Sequence, residues 1–207
     1  MKRSMCIVYE VDSGLYINMT NRCSNRCTFC IRNNGDGAYG SDSLWLEREP
    51  TVEEVLSAVL SRDVAKYSEI VFCGYGEPSY RLGDARAVAL AIKERFPQMR
   101  VRINTNGHSD LIHGTDTAPM YKDAFDTVSI SLNTPSPERY DELCLPKFDG
   151  AHGALIDFAR RVKNYVPRTV LSVVRQTLTE EELCECRSIA EESGVELKIR
   201  DYIPPEP

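Results

Sequence analysis

Asn21-Arg22-Cys23-Ser24-Asn25-Arg26-Cys27-Thr28-Phe29-Cys30 carries three thiols, separated by three residues and then by two. The stretch follows a strand-like run, Leu15 to Thr20, and opens into a segment with Gly35, Gly37 and Gly40 among Asn, Asp and Ser. The thiols therefore sit on a loop at a strand end, where backbone is free to wrap a ligand. Three thiolates from one loop can hold three irons of a 4Fe–4S cube, and no fourth thiol lies nearby in sequence. One iron is then left open for a small molecule.

Two other readings stand beside this one. Close cysteines also bind zinc, but structural zinc sites normally close with four Cys or His ligands. The only histidines, His108, His113 and His152, all lie outside the loop. Disulfides or inert thiols are the third option, and eight cysteines without a secretion signal argue for a reducing compartment. A zinc-stabilised binding module and a non-enzymatic iron–sulfur electron carrier thus remain alternatives to an enzyme.

The chain of 207 residues is long enough for one sizeable core, and a single domain over 1–207 is the expectation. With 25 basic against 31 acidic residues the net charge is −6, which leaves no clear nucleic-acid footprint. No stretch approaches the ~20 apolar residues of a membrane span. Composition thus points to a soluble, cytoplasmic protein without a membrane partner.

Outward from the cysteine loop, strands and helices alternate. Met5 to Tyr9 and Leu15 to Thr20 flank the turn Asp12-Ser13-Gly14 as an N-terminal β-hairpin. The loop spans 21–34, and Leu44, Trp45 and Leu46 tuck the segment after it onto the body. Thr51 with Glu54 is a capping box that starts a helix to Arg62. Glu69 to Cys73 is a strand, and a helix over Ala85 to Phe96 ends near Pro97. Arg100 to Asn104 is a strand that stops at Thr105-Asn106-Gly107, and His108 to Pro119 is polar and irregular. Thr127 to Leu132 is the next strand. Ser136-Pro137-Glu138 opens a short helix to about Cys144, and a second helix runs from about Ala151 to Tyr165. Thr169 to Val174 is a strand, Thr179 with Glu182 caps a helix closing at Gly194, and Val195 to Ile203 is the last strand before a tail, 204–207. Repeated strand–helix units imply an α/β fold with parallel strands and right-handed crossovers. Six units form either an open sheet or a partial barrel, since a full barrel needs ~250 residues.

Chemistry in either architecture belongs at the carboxyl ends of the strands. The suggestive residues fall there: the three cysteines, Gly74-Tyr75-Gly76-Glu77-Pro78, Asn104 to Gly107, Ser131 with Asn133, Arg175, and Tyr202. Glycines let backbone approach closely, and a carboxylate can accept charge-assisted bonds from an ammonium. By itself the Gly-Glu-Pro stretch is equally a plain turn.

Together, the Cys23–Cys30 spacing with an aromatic before the third thiol and the Gly74–Pro78 stretch resemble the radical S-adenosylmethionine (radical SAM) superfamily. More narrowly, Arg22 to Asn34, Asp42 to Pro50, Phe72 to Pro78 and Arg102 to Gly107 resemble TatD nuclease-associated radical SAM proteins. The resemblance covers nearly the whole chain and implies a partial (βα)6 TIM-like barrel. It implies that Cys23, Cys27 and Cys30 ligate three irons, and that S-adenosylmethionine chelates the fourth. Gly74, Gly76 and Glu77 would receive the methionine ammonium, and Phe29 would pack near the adenine. Asn104, Thr105 and Asn106 would contact the sulfonium or ribose, and Ser131 and Asn133 suit the ribose hydroxyls. Arg175 would meet the methionine carboxylate, with Tyr202 and Ile203 facing the adenine. The implied chemistry is reductive cleavage of S-adenosylmethionine to a 5′-deoxyadenosyl radical that abstracts hydrogen from an unidentified substrate. It also implies oxygen sensitivity, an electron donor such as flavodoxin or ferredoxin, and a functional link to a TatD-type nuclease.

The other cysteines carry less. Cys184 and Cys186 lie two apart on a helix and point in different directions. Cys6 and Cys73 suit buried strand positions, and Cys144 follows a short helix toward the open end. His108 and His113 fit a solvated loop.

Overall fold

The computed structural model describes residues 2–202. The expected contact at Ile203 and the tail, 204–207, lie outside the described residues. Among the described residues seven strands form one sheet in chain order: β1 (Val8–Val11), β2 (Gly14–Ile17), β3 (Glu69–Phe72), β4 (Val101–Thr105), β5 (Thr127–Ser131), β6 (Arg168–Val174) and β7 (Glu196–Arg200). β1 and β2 pair antiparallel across a turn in which Asp12 takes φ 51°. From β2 to β7 every pairing is parallel. β1 and β7 are the two edges, so the sheet does not close, as expected of a partial barrel with a leading hairpin.

Among the described residues six α-helices occupy the crossovers: α1 (Val52–Leu60), α2 (Leu82–Arg95), α3 (Ser109–His113), α4 (Pro137–Cys144), α5 (Ala151–Val162) and α6 (Glu180–Ser193). Both capping boxes form: Thr51 accepts from Glu54 N and Thr179 from Glu182 N, with each Glu returning the bond. Ser136 caps α4 by accepting from Arg139 N at 3.2 Å. Among the described residues no helix is long and apolar enough to cross a membrane.

The two faces of the sheet differ in chemistry. Leu15, Ile17, Ile70, Phe72, Ile103, Ile130 and Leu171 pack with Val55, Val88, Ile92, Phe158 and Leu183 of the helices in one core. Complete burial of each such side chain stabilises by about 1.5–3 kcal/mol. The alternate residues, among them Tyr16, Arg102, Asn104, Ser129, Ser131 and Ser172, take the other face. A closed barrel fills that space with Val, Ile and Leu; here much of it is polar.

Two stretches depart from expectation. The segment after β4 is not irregular throughout: it forms α3 and a 3-10 turn, Ala118–Tyr121. Asp110 organises it by accepting from Thr117 N at 2.7 Å and Thr117 Oγ1 at 2.6 Å, and Gly114 ends α3 at φ 66°. The first strand starts at Val8 rather than Met5, because Ser4 bridges Leu46 instead. That bridge, with Asn21 Nδ2 donating to Leu46 O at 2.8 Å and Leu46 N donating to Asn21 Oδ1 at 2.9 Å, holds the segment after the cysteine loop. Leu44 and Leu46 are buried, and Trp45 meets Tyr75 edge-on at 5.2 Å, so this segment does tuck onto the body.

A Cβ on Gly76 would sit 2.2 Å from Thr20 O and 2.7 Å from Arg22 O, both backbone atoms. Gly76→Ala should therefore lose about 1–3 kcal/mol in urea unfolding. Gly83→Ala meets nothing within 4 Å in α2 and should lose nothing. Thr179→Ala should lower stability by about 1 kcal/mol, read the same way.

Candidate functional site

The cysteine loop has no strand or helix of its own until a 3-10 turn at Ile31–Asn33. Its shape is imposed by neighbours. Arg26 N donates to Cys144 O at 3.0 Å and Thr28 N to Leu143 O at 2.9 Å. Those carbonyls end α4, where the helix has no N–H of its own to offer them. The loop thus completes the helix terminus while the helix fixes the loop. Lys147 N adds a bond to Ser24 O at 2.8 Å.

A second set of bonds enters from the Gly-rich turn. Glu77 N donates to Arg22 O at 2.7 Å, and the turn lies flat against Thr20 and Arg22 because Gly76 has no side chain. Gly74 faces Asn18 in the same way. The glycines make room for the chain's own approach to Cys23. The Glu77 carboxylate is buried and accepts from Ser79 N at 3.0 Å, Thr105 Oγ1 at 2.8 Å and Asn106 N at 2.7 Å. Burial raises its pKa while those donors pull it down. The Ser79 hydroxyl, buried beside it, also favours the charged carboxylate.

Asn106 continues the chain, donating from Nδ2 to Ser24 Oγ at 2.7 Å. Ser24 Oγ lies 3.2 Å from His108 Nδ1, and His108 Nε2 lies 3.2 Å from Tyr140 OH. Tyr140 OH accepts from Asn25 Nδ2 at 3.0 Å. All of these residues are buried, and burial holds His108 down at about 4, so its ring is neutral at pH 7. Expected as part of a solvated loop, His108 instead joins the ends of β4 and α4 to the cysteine loop. No sequence signal marked it, because its partners lie 32 and 84 residues away. Ser24, Asn25 and Tyr140 escaped notice for the same reason.

Cys23, Cys27 and Cys30 are half-buried free thiols. Burial and then the Glu77 carboxylate push Cys23 up to about 12. A hydrogen bond with Cys144, then burial, raises Cys27, and the same contact lowers Cys144. Burial raises Cys30, opposed by Arg32 and Arg200. A bound metal deprotonates a coordinating thiol outright, and Arg32 favours the thiolate at all three positions. Among the described residues no three His, Cys, Asp or Glu side chains stand close enough to hold a single metal ion. A cube spreads its ligands wider than one ion does, and three free thiols on one anchored loop fit that donor set.

The remaining expected residues divide. Thr105 and Asn106 join the site through Glu77. Phe29 packs on the edge of the main core. Asn104 takes a bond from Arg102 Nη1 at 2.9 Å on the inner face. Ser131 stands opposite Ser172 there. Asn133, at φ 64°, donates to Cys144 Sγ at 3.3 Å and leaves its buried Oδ1 without a partner. Tyr202 N donates to Gln176 Oε1 at 2.7 Å. Arg175 is held by Glu180 in the first turn of α6. Another cation, Arg200, lies within electrostatic reach of Cys73, Tyr39, Cys27 and Cys30, and burial lowers its pKa. The alternation of β7, which also carries Glu196 and Lys198, was the signal that would have found it.

The family model for the Radical SAM superfamily matches residues 17–188. A GTP 3′,8-cyclase from Clostridium perfringens is 22% identical over 196 residues, 94% of this chain and 56% of that protein. Molybdenum cofactor biosynthesis protein 1 of Drosophila melanogaster is 26% identical over 191 residues, 92% of this chain and 32% of that protein. The chain therefore spans between a third and somewhat over half of these relatives. In fold it is similar to Streptococcus suis SuiB, solved with its precursor peptide SuiA, at TM-score 0.69 and 17% identity, covering 95% of this chain and 40% of that one. Three thiols at this spacing, on a loop fixed at the strand ends of an open parallel sheet, accord with these matches, and the chain belongs to the Radical SAM superfamily, whose cofactors are a 4Fe–4S cluster and S-adenosylmethionine.

Proposed function

We propose that this chain is an enzyme that reductively cleaves S-adenosylmethionine and uses the product to abstract hydrogen from a substrate. The observation that carries the reading is the cysteine loop itself: three free thiols whose backbone is pinned by the end of α4 on one side and the Gly74–Glu77 turn on the other. When bound, the cluster and S-adenosylmethionine supply an electron and a 5′-deoxyadenosyl radical. The residues do the rest. Cys23, Cys27 and Cys30 would hold three irons of the cluster. Glu77 lies next to Cys23 and suits a ligand ammonium by its charge. Arg32 and Arg200 offset negative charge at the thiolates. The polar inner face orients the substrate and the barrel wall limits water. Within the superfamily, the residues quoted above favour the TatD nuclease-associated subgroup, with a flavodoxin- or ferredoxin-like electron donor as partner.

Anaerobically reconstituted protein with dithionite and S-adenosylmethionine should release 5′-deoxyadenosine and methionine, measured by chromatography. Cys23→Ala, Cys27→Ala and Cys30→Ala should each lower release more than 100-fold, an expected loss of at least ~3 kcal/mol of transition-state stabilisation. Cys184→Ala, an exposed thiol, should change nothing. Bound zinc without a brown chromophore would instead favour a binding module.

Tyr140→Phe removes the hydroxyl shared by Asn25 and His108. It should destabilise by about 1–3 kcal/mol and shorten the cluster's lifetime against an iron chelator, followed by visible absorbance. An unchanged lifetime would show that this network does not hold the loop.

A further inference from the structure

A cysteine from outside the loop is brought against it by the fold: Cys144, the last residue of α4. Arg26 N donates to Cys144 O at 3.0 Å and Thr28 N to Leu143 O at 2.9 Å, so residues 26–28 run along the end of α4 with Cys27 between the two bonds. Cys144 is fully buried in the main core, and Cys27 packs against that core. The two side chains meet in a hydrogen bond, sulfur to sulfur. The site as described gives this fourth thiol no task.

The direction of that bond follows from what surrounds Cys144. A thiol has one proton to donate and a weakly accepting sulfur. Buried Asn133 donates from Nδ2 to Cys144 Sγ at 3.3 Å, so the accepting side of that sulfur is engaged. Asn133 is itself fixed, at φ 64° with its N donating to Ser172 O at 3.2 Å in β6. The Cys144 proton has no water to turn to and Cys27 beside it. Iron on Cys27 removes that thiol's own proton, so Cys144 S–H becomes the donor and the Cys27 sulfur the acceptor. Hydrogen bonds to cluster sulfurs are one of the levers on reduction potential. Asn25 N supplies such a bond to Cys23 Sγ, at 3.4 Å, from within the loop; Cys144 supplies one from outside it.

We propose that Cys144 is a positioning residue for the cluster: its thiol, oriented by Asn133, hydrogen-bonds the Cys27 sulfur and raises the potential at which the cluster takes up its electron. This rests on the reading of the loop as the radical SAM centre. The reduced cluster carries one more negative charge than the oxidised one, so a donor to its sulfur stabilises the reduced form more. Cys144 touches neither iron nor substrate, and no bond to its sulfur is made or broken.

The test uses the full chain, anaerobically reconstituted, with the cluster's midpoint potential read by electron paramagnetic resonance at poised potentials and iron content measured alongside. At a set potential Cys144→Ala should lower the ratio of reduced to oxidised cluster about threefold, or roughly 28 mV for one electron. Cys144→Val, which fills the space without a donor, should do the same. Cys144→Ser, which keeps a donor, should recover most of the loss, a pattern that packing alone would not give. A second measurement needs no variant. In the wild type an S–H stretch, followed by infrared difference spectroscopy, should move to lower frequency when the cluster is reduced, and this decides the matter if the variants hold no cluster. An unchanged potential in Cys144→Ala at full iron content would overturn the proposal. So would S–H stretches indifferent to reduction, since the Cys144 proton would then lie on Asn133. A wild type that assembles no cluster fails the radical SAM reading itself, and this proposal falls with it.

Discussion

A loop with three thiols and no regular secondary structure can place its ligands only if other elements lend it their unpaired groups. Here the carbonyls that end α4 accept N–H groups of the loop, and one buried carboxylate, Glu77, gathers donors from two strand ends. These bonds are worth more together than singly, because each lies in a buried chain whose members would be orphaned by a break. From Glu77 through Asn106, Ser24, His108 and Tyr140 to Asn25, the polar chain links elements that the sequence keeps far apart.

That dependence explains the placement of glycines and the chemistry of the sheet. Gly76 lacks a side chain because backbone of the cysteine-loop approach occupies the space. The helices cover one face with apolar packing, which supplies the stability. The opposite face is then free to carry Asn104, Ser131, Ser172, Arg102 and Arg200, side chains that a filled barrel core would exclude. Apolar packing and polar side chains are segregated to opposite faces of the same strands.

Much of this was legible beforehand. Strand–helix alternation, both Thr capping boxes and the Ser136 cap rest on local rules, and each formed as expected. The thiol spacing and its strand-end position also lie within a few residues of chain. What stayed hidden depends on distant pairing. His108 looked like a loop residue because Ser24 and Tyr140 meet it only in space. Arg175 stays at the strand end, paired with Glu180 five residues on, and Arg200, which local sequence did not mark, is a second cation within electrostatic reach of Cys27 and Cys30. The role of Gly74 and Gly76 as clearance for Asn18, Thr20 and Arg22 was likewise not local.

The central claim is that the polypeptide ligates three irons and leaves a fourth to S-adenosylmethionine. Mössbauer spectroscopy of protein reconstituted with iron-57 tests it directly. Addition of S-adenosylmethionine should shift the signal of one iron site in four while the other three hold their parameters. A spectrum indifferent to S-adenosylmethionine, or a protein that assembles no cluster with Cys23, Cys27 and Cys30 intact, would contradict it.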